Sequence, residues 1–191
     1  VLKVSYAGEK GFEIHVKNGS MLKIYNEINK VGEQYDLIHF GMLALDSMRL
    51  EKNYRSWKSD LTSDYSMLQS GLERWVNFKK EIFIGKDALL KESEIGVTKK
   101  FVTLVVEDPE DSEPFGEPVY LSPVFAGDNY LGPVVSSGYG HRVKKSISMA
   151  ILDDRNLNGL NDQIHINVLG RKRKAHIVKE SLYDPCLLYT S

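Results

Sequence analysis

The second half of the chain, from about Lys99, is a series of short β-rich runs separated by turn residues. Such runs favour strands, because β-branched and aromatic side chains suit a pleated, half-buried surface. The six runs are Phe101–Val106, Val119–Val124, Leu131–Ser136, Ile147–Leu152, Ile164–Leu169 and His176–Val178. Six strands at this spacing predict a small antiparallel barrel or sandwich.

The first half has a mixed texture, in which helical spacing alternates with glycine-punctuated turns. Helices are predicted over residues 20–31, 40–50 and 86–92, and two short strands over 1–6 and 12–16. Ser20 is the expected N-cap of the first helix, and Gly32 is its natural stop. The sequence therefore predicts an α+β protein, with the boundary between its mixed α/β part and its all-β part near residues 93–99.

The charge balance and the cysteine count exclude several classes of protein. The 191 residues include 25 Lys and Arg against 26 Asp and Glu, a formal net charge of −1, whereas a nucleic-acid binder normally has a basic stripe. No apolar stretch approaches the roughly 18–20 residues that a membrane span needs. The single cysteine, Cys186, rules out an intrachain disulfide framework and a cysteine-rich zinc module. We therefore expect a soluble protein without nucleic-acid or membrane partners.

One strand pair can be predicted in register. A two-residue turn at 170–171 sets Ile166 opposite Ala175 and His165 opposite His176, so that apolar and polar pairs occupy opposite faces. Two neighbouring imidazoles can bind a metal, but no Cys, Asp or Glu at ligand spacing completes a tetrahedral set. We therefore interpret the two histidines as part of a solvated face and predict no metal site.

Two other motifs have an ordinary structural interpretation. Gly138-Tyr-Gly140 lies between two predicted strands and lacks the following helix of a phosphate-binding loop, so we predict a turn of the barrel. The basic run Arg171-Lys-Arg-Lys174 occupies a turn and one strand of a chain that is not basic overall. We predict a charged hairpin tip there, in preference to a nucleic-acid-binding patch.

Glu13 is the most informative polar residue of the first half. It lies on the opposite face from Phe12 and Ile14, and Tyr6 precedes it by seven residues across a glycine turn. A carboxylate accepts two parallel N–H bonds from a flat heterocycle with an amidine-like edge, such as a pterin, and an aromatic ring can pack against that heterocycle. From spacing alone, an ordinary exposed strand glutamate remains the other interpretation.

Five segments, in this order along the chain, resemble motifs of the aminomethyltransferase (glycine-cleavage T-protein) family. They are Tyr6-Ala-Gly-Glu-Lys-Gly-Phe-Glu-Ile14, Asp46-Ser-Met-Arg-Leu-Glu51, Phe83-Ile-Gly-Lys-Asp-Ala-Leu89, Ser136-Ser-Gly138 and Tyr183-Asp-Pro185. The resemblance covers about residues 1–185. It implies the remnant of an α/β folate-binding domain over 1–95, followed by a small antiparallel β-barrel over 96–185. Residues 186–191 resemble nothing expected after the barrel, and we expect a truncation or a non-native end there.

Within this family, three stretches are similar to the C-terminal part of dimethylglycine and sarcosine dehydrogenases. They are Leu43–Trp57, Ser59–Thr62 and Ser137–Ser146. Stand-alone aminomethyltransferases usually have an Arg that helps hold folate at the position of Leu45, and a Tyr-Gly pair in place of Trp57-Lys58. The resemblance therefore favours the dehydrogenase branch.

That resemblance implies a tetrahydrofolate-binding, one-carbon-transfer region of a flavoenzyme. An upstream FAD domain of the same polypeptide would oxidise an N-methyl amine to an iminium. The folate region would then capture the carbon as methylene-tetrahydrofolate, or formaldehyde would be released if folate is absent. Tyr6 and Glu13 match two folate-contacting positions, and Trp57 and Trp75 are candidates for the same pocket, with structural packing an equal interpretation.

We expect no complete active site in this stretch. No residue matches the catalytic Asp that the family has further upstream, and the flavin motif G-x-G-x-x-G is absent from the sequence. Two alternatives stay open: a stand-alone aminomethyltransferase or related folate-dependent demethylase, and a folate-binding module without transfer activity. The resemblance implies the mitochondrial matrix or the bacterial cytoplasm as the location.

Overall fold

A computed structural model describes residues 1–107, 116–157, 163–179 and 181–185. Within these residues there are three α-helices: α1 Asn18–Gly32, α2 Met42–Glu51 and α3 Lys86–Ile95. The six strands of the same residues are β1 Lys99–Val106, β2 Pro123–Ala126, β3 Asn129–Gly140, β4 Lys145–Asp153, β5 Ile164–Val168 and β6 Arg171–Val178. Cys186 and the predicted tail 186–191 lie outside the described residues. No described helix has both the length and the apolar character needed to cross a bilayer.

The strands close into an antiparallel barrel in the order β1-β4-β3-β2-β5-β6. Alternating Val, Leu and Ile side chains fill its interior, among them the fully buried Leu104, Val124 and Ile166. The predicted α+β architecture with a small antiparallel barrel is therefore confirmed.

Helix α2 packs on the outside of this barrel, against β3 and β4. Leu50 joins a second buried cluster there, which includes Ile147 and Met149 of β4. The glycines that we predicted to form a barrel turn, Gly138 and Gly140, belong instead to the end of β3. A Cβ atom on Gly138 would lie 3.0 Å from Leu50 Cδ1, so a glycine at this position lets helix α2 approach the strand closely.

The β5–β6 hairpin corrects the predicted register by two residues. Its turn is Leu169-Gly170, with φ of 49° and 83°, rather than 170–171. Val168 therefore pairs with Arg171, and His165 pairs with Lys174 instead of His176. Because side chains alternate with a period of two, a two-residue shift leaves the inward-facing residues of β5 unchanged. The His165–His176 pair does not form, and the described residues contain no cluster of three metal-ligating side chains.

The first 16 residues form less regular structure than predicted. The two expected strands reduce to a single bridge, in which Leu2 and Glu13 exchange backbone N–H···O bonds of 2.8 and 2.9 Å. The predicted first helix is confirmed as α1, but the predicted N-cap is wrong: the helix begins at Asn18, its N-cap is Lys17, and Ser20 lies inside its first turn. The only buried residue of α1 is Gly32. Apolar side chains on this helix, such as Leu22, are exposed.

Candidate functional site

A buried polar cluster joins α2, the following loop and the barrel. The Arg49 guanidinium donates to Asp60 Oδ2 at 2.8 Å and to Ser136 Oγ of β3 at 2.9 Å, and Ser136 donates to the other Asp60 oxygen. The backbone N–H of Ser56 also donates to Asp60, at 2.7 Å. Asp60 is fully buried, so these donors replace the water that its charge has lost.

Two residues at the C-terminal end of α2, Glu51 and Lys52, fix the C-terminal segment and the β3–β4 connection. Lys52 Nζ donates to the backbone oxygen of Asp184 at 2.9 Å and to its carboxylate at 3.2 Å, with both side chains buried. The Glu51 carboxylate accepts the backbone N–H groups of Arg142 and Val143. Arg49, Glu51 and the adjacent Lys52 thus form the structural joint of the molecule, because their contacts bring distant segments of the chain together.

A cavity of about 970 Å³ lies beside this joint. Its walls come from the N-terminal turn, from the loops after α2, and from the segment after β6. The side chains that matter for its chemistry are Tyr6, Lys52, Arg55, Arg74, Trp75 and Lys179. This volume is within the range of small-molecule and cofactor sites.

Tyr6, the first of the two predicted site residues, lines this cavity. Its hydroxyl is buried and has no hydrogen-bond partner among the described residues. The turn that holds it requires Gly8, which has φ of 73° and whose Cβ would collide with the Lys52 side chain. A buried hydroxyl without a partner is costly, so it fits a ligand that supplies one.

Glu13, the second predicted site residue, lies apart from Tyr6 and does not line the cavity. Its side chain is 59% exposed, and Oε2 lies 3.1 Å from His15 Nε2. Glu13 and His15 are on the same face of the segment, as the alternating pattern predicted. The structure therefore brings only Tyr6 to the cavity and leaves the Glu13 carboxylate accessible from solvent.

Of the two candidate tryptophans, Trp57 and Trp75, only Trp75 lies at the cavity. Trp75 lines the cavity and is 70% exposed, with the Arg74 guanidinium 5.0 Å from its ring centroid. Trp57 is exposed as well, but it is not among the cavity residues. Leu45, the position at which the resemblance led us to expect an Arg in stand-alone enzymes, does not line the cavity either.

Sequence reasoning missed the basic residues of the cavity. Arg55 stacks on Phe101, with 4.3 Å between the guanidinium carbon and the ring centroid, and its Nε is buried without a partner in the described residues. Burial, and secondly the charge of Arg74, lower the pKa of Arg55. Arg55 lies within the Leu43–Trp57 stretch, so a signal for it existed. Arg74 and Lys179 had none, because only the fold brings them near Tyr6.

The fold and the site together define a chain in which an α/β region is joined to a closed antiparallel barrel beside a basic cavity. Residues 1–80 match the GCVT N-terminal domain, and residues 99–184 match the glycine cleavage T-protein C-terminal barrel domain. The chain belongs to the aminomethyltransferase (glycine-cleavage T-protein) family.

Individual relatives support the same conclusion. The chain is 32% identical over 183 residues to an aminomethyltransferase of Thermoanaerobacter pseudethanolicus, covering 96% of this chain and 48% of that protein. It is 30% identical over 182 residues to mouse mitochondrial dimethylglycine dehydrogenase, covering 95% of this chain and 20% of that protein. The crystal structure of aminomethyltransferase T from Bartonella henselae has the same fold, with a TM-score of 0.80 at 21% identity over 96% of this chain and 49% of that chain. The chain thus spans about half the length, or less, of the relatives it matches.

Proposed function

We propose that this protein takes part in folate-dependent one-carbon transfer and that tetrahydrofolate binds beside Tyr6. The observation that carries the proposal is the buried, unpartnered Tyr6 hydroxyl in the wall of a cavity of about 970 Å³. Tyr6 belongs to the motif that first indicated the family, and the cavity is large enough for a flat heterocycle with a side chain. Bound tetrahydrofolate would supply the amine nitrogens that accept the one-carbon unit.

Within that function, we propose a dehydrogenase-like protein whose upstream FAD domain forms the iminium from an N-methyl amine. The support is the Leu43–Trp57 stretch, with Leu45 in place of the Arg of stand-alone enzymes. The stand-alone aminomethyltransferase is the second candidate, since the identities to the two kinds of relative are nearly equal, 32% and 30%. Assaying the full-length protein for oxidation of N-methyl amines and for glycine cleavage separates the two. Activity in neither assay, with folate binding retained, would favour a non-catalytic folate module.

We also propose that residues 1–95 work as part of a larger folate domain. The exposed apolar side chains of this region include Phe12, Leu22 and Leu43, and a large apolar surface of this kind normally has a protein partner. The Glu13 carboxylate lies in this exposed region, outside the Tyr6 cavity, so it would meet the pterin edge of a folate that extends beyond the cavity. Relatives from mitochondria and from bacteria are consistent with either location for the protein.

Equilibrium binding of tetrahydrofolate to variants of the full-length protein tests the folate proposal. Glu13→Gln removes a charge-assisted contact and should weaken binding by about 2–3 kcal/mol. Tyr6→Phe removes one neutral hydroxyl and should weaken it by about 0.5–1.5 kcal/mol. Glu27→Gln and Tyr35→Phe are matched controls, since both side chains are exposed and outside the cavity. Unchanged affinity in Glu13→Gln would show that Glu13 does not recognise the pterin.

A further inference from the structure

The Tyr6 cavity has an excess of positive charge. Four basic side chains line it, Lys52, Arg55, Arg74 and Lys179, and no carboxylate is among its described lining residues. Lys52 is already compensated by Asp184 in the buried ion pair. The positive charges of Arg55, Arg74 and Lys179 still need a structural explanation.

Arg55 is fixed in position but not fully hydrogen-bonded. Its guanidinium is held between the Phe101 ring and the backbone oxygen of Gly71, to which Nη2 donates at 3.4 Å. Gly71 has φ of 63°, a conformation that favours glycine, and a Cβ there would lie 2.9 Å from Nη2, so the guanidinium packs closely against this turn. The buried Nε still lacks an acceptor. A guanidinium held in this way is preorganised to donate to an incoming anion.

The neighbouring carboxylates do not neutralise this group. Asp60 and Glu73 both act on Arg55 through space, but neither forms an ion pair with it in the described residues. Asp60 is committed to Arg49 and Ser136. Arg74, which rests on Trp75, and the exposed Lys179 also form no ion pair within the described part of the chain.

We propose that Arg55, Arg74 and Lys179 form a carboxylate-binding wall, which receives an anionic end of the ligand in the Tyr6 cavity. The inference deepens the proposed function and rests on it for the identity of the ligand, because folate ends in a glutamyl dicarboxylate. An N-methyl amino acid substrate is the other source of the same chemistry. In either case, Arg55 provides the fixed donor, and the two exposed cations provide attraction at the cavity mouth.

The test uses the full-length protein and three probes: a stable reduced folate, the same folate with its glutamyl carboxylates converted to amides, and glutarate. We expect the diamide to bind at least about tenfold more weakly than the acid. Arg55→Gln should lose a similar factor for the acid and almost nothing for the diamide. Arg155→Gln is the matched control, since Arg155 is an exposed arginine outside the cavity. If Arg55→Gln does not fold, Arg74→Gln and Lys179→Gln should show the same selective loss, because their side chains are exposed.

The outcomes separate the wall from the folate proposal. Arg55-dependent glutarate binding without folate binding would support the wall and reject folate as the ligand. Equal, measurable losses for acid and diamide, or no loss of either folate or glutarate binding in any variant, would overturn the wall while leaving folate binding intact. If acid and diamide bind equally but dimethylglycine displaces glutarate, the wall is supported and its carboxylate comes from the amine substrate. Failure of all carboxylate probes to bind would overturn the inference.

Discussion

The barrel buries its apolar side chains, whereas the N-terminal region, residues 1–95, leaves many of its apolar side chains exposed. In the barrel Leu104 is 0% exposed, whereas Leu22 of α1 is 71% exposed. Both leucines lie in well-formed secondary structure, so the difference comes from packing rather than from local conformation. The barrel closes on itself and leaves no open sheet edge, whereas an amphipathic helix needs a second element to cover its apolar face.

This contrast shows where the molecule derives its stability and where its surface is left for other contacts. The barrel and the joint made by α2 form one buried unit, which positions the cavity wall. The N-terminal region contributes Tyr6 to that wall, while most of its apolar surface faces outward. Substitutions in the joint, in the barrel core and on the exposed face of α1 should therefore change the free energy of unfolding by very different amounts.

The largest effect is expected at the joint between the two regions. Asp60→Asn removes the buried charge that pairs with Arg49 and leaves that guanidinium with the partly exposed Asp46, 2.8 Å from Arg49 Nε, as its remaining ionic partner among the described residues. Losing one partner of a buried ion pair typically costs about 3–5 kcal/mol, and we expect the free energy of unfolding to fall by that amount. Urea denaturation measures the change. Asp64→Asn is the control, because Asp64 is exposed and bonds only to the nearby Thr62 in the described residues; equal losses in both variants would show that the joint does not stabilise the fold.

Two leucine-to-alanine substitutions, one in each region, test the difference in burial between the barrel and the N-terminal region. Leu104→Ala should lower the free energy of unfolding by about 2–5 kcal/mol, because it opens a cavity in the barrel interior. Leu22→Ala should change it by less than about 0.5 kcal/mol, because that side chain is already largely in water. Both are measured by urea denaturation of the 191-residue chain. If a longer form of the protein covers α1, Leu22→Ala should become destabilising there, and the same small effect in both forms would argue against a covered helix face.

The barrel could be predicted because its signals are local. Five of the six β-rich runs form strands nearly where expected, and helix α1 matches its apolar spacing. The predicted register of the β5–β6 hairpin was wrong because we expected Gly170 to be the first residue of the turn. The turn begins one residue earlier, at Leu169, which adopts a left-handed conformation. The strand expected from Val119 begins only at Pro123, because Leu121 also has a positive φ, 68°.

The site was predictable only in part, for a different reason. Tyr6 lies in a compact motif, and the structure places it on the cavity. The other cavity residues come from segments far apart along the chain, which meet only because Arg49 and Lys52 tie α2 to Asp60, Ser136 and Asp184. No spacing rule connects Arg55 with Lys179. The basic character of the cavity is therefore a tertiary property, whereas two of its aromatic residues, Tyr6 and Trp75, were candidates from the sequence alone.

The smallest expected effect concerns a histidine in the barrel wall. His165 stacks on Phe125 at 5.4 Å between ring centroids, and burial, followed by the charge of Lys172, lowers the pKa of His165. The unfolded chain then binds a proton at a higher pH, near 6.5, than the folded one, so this contribution to stability is complete above about pH 6.5 and is lost as the pH falls through the folded-state pKa. Denaturation of wild type and His165→Gln between about pH 7.5 and pH 5 should show a steeper loss for wild type. His15→Gln, which removes an exposed histidine of the N-terminal region, is the comparison variant. Parallel pH profiles for wild type and His165→Gln would show that burial in the barrel wall does not disfavour the charged imidazole.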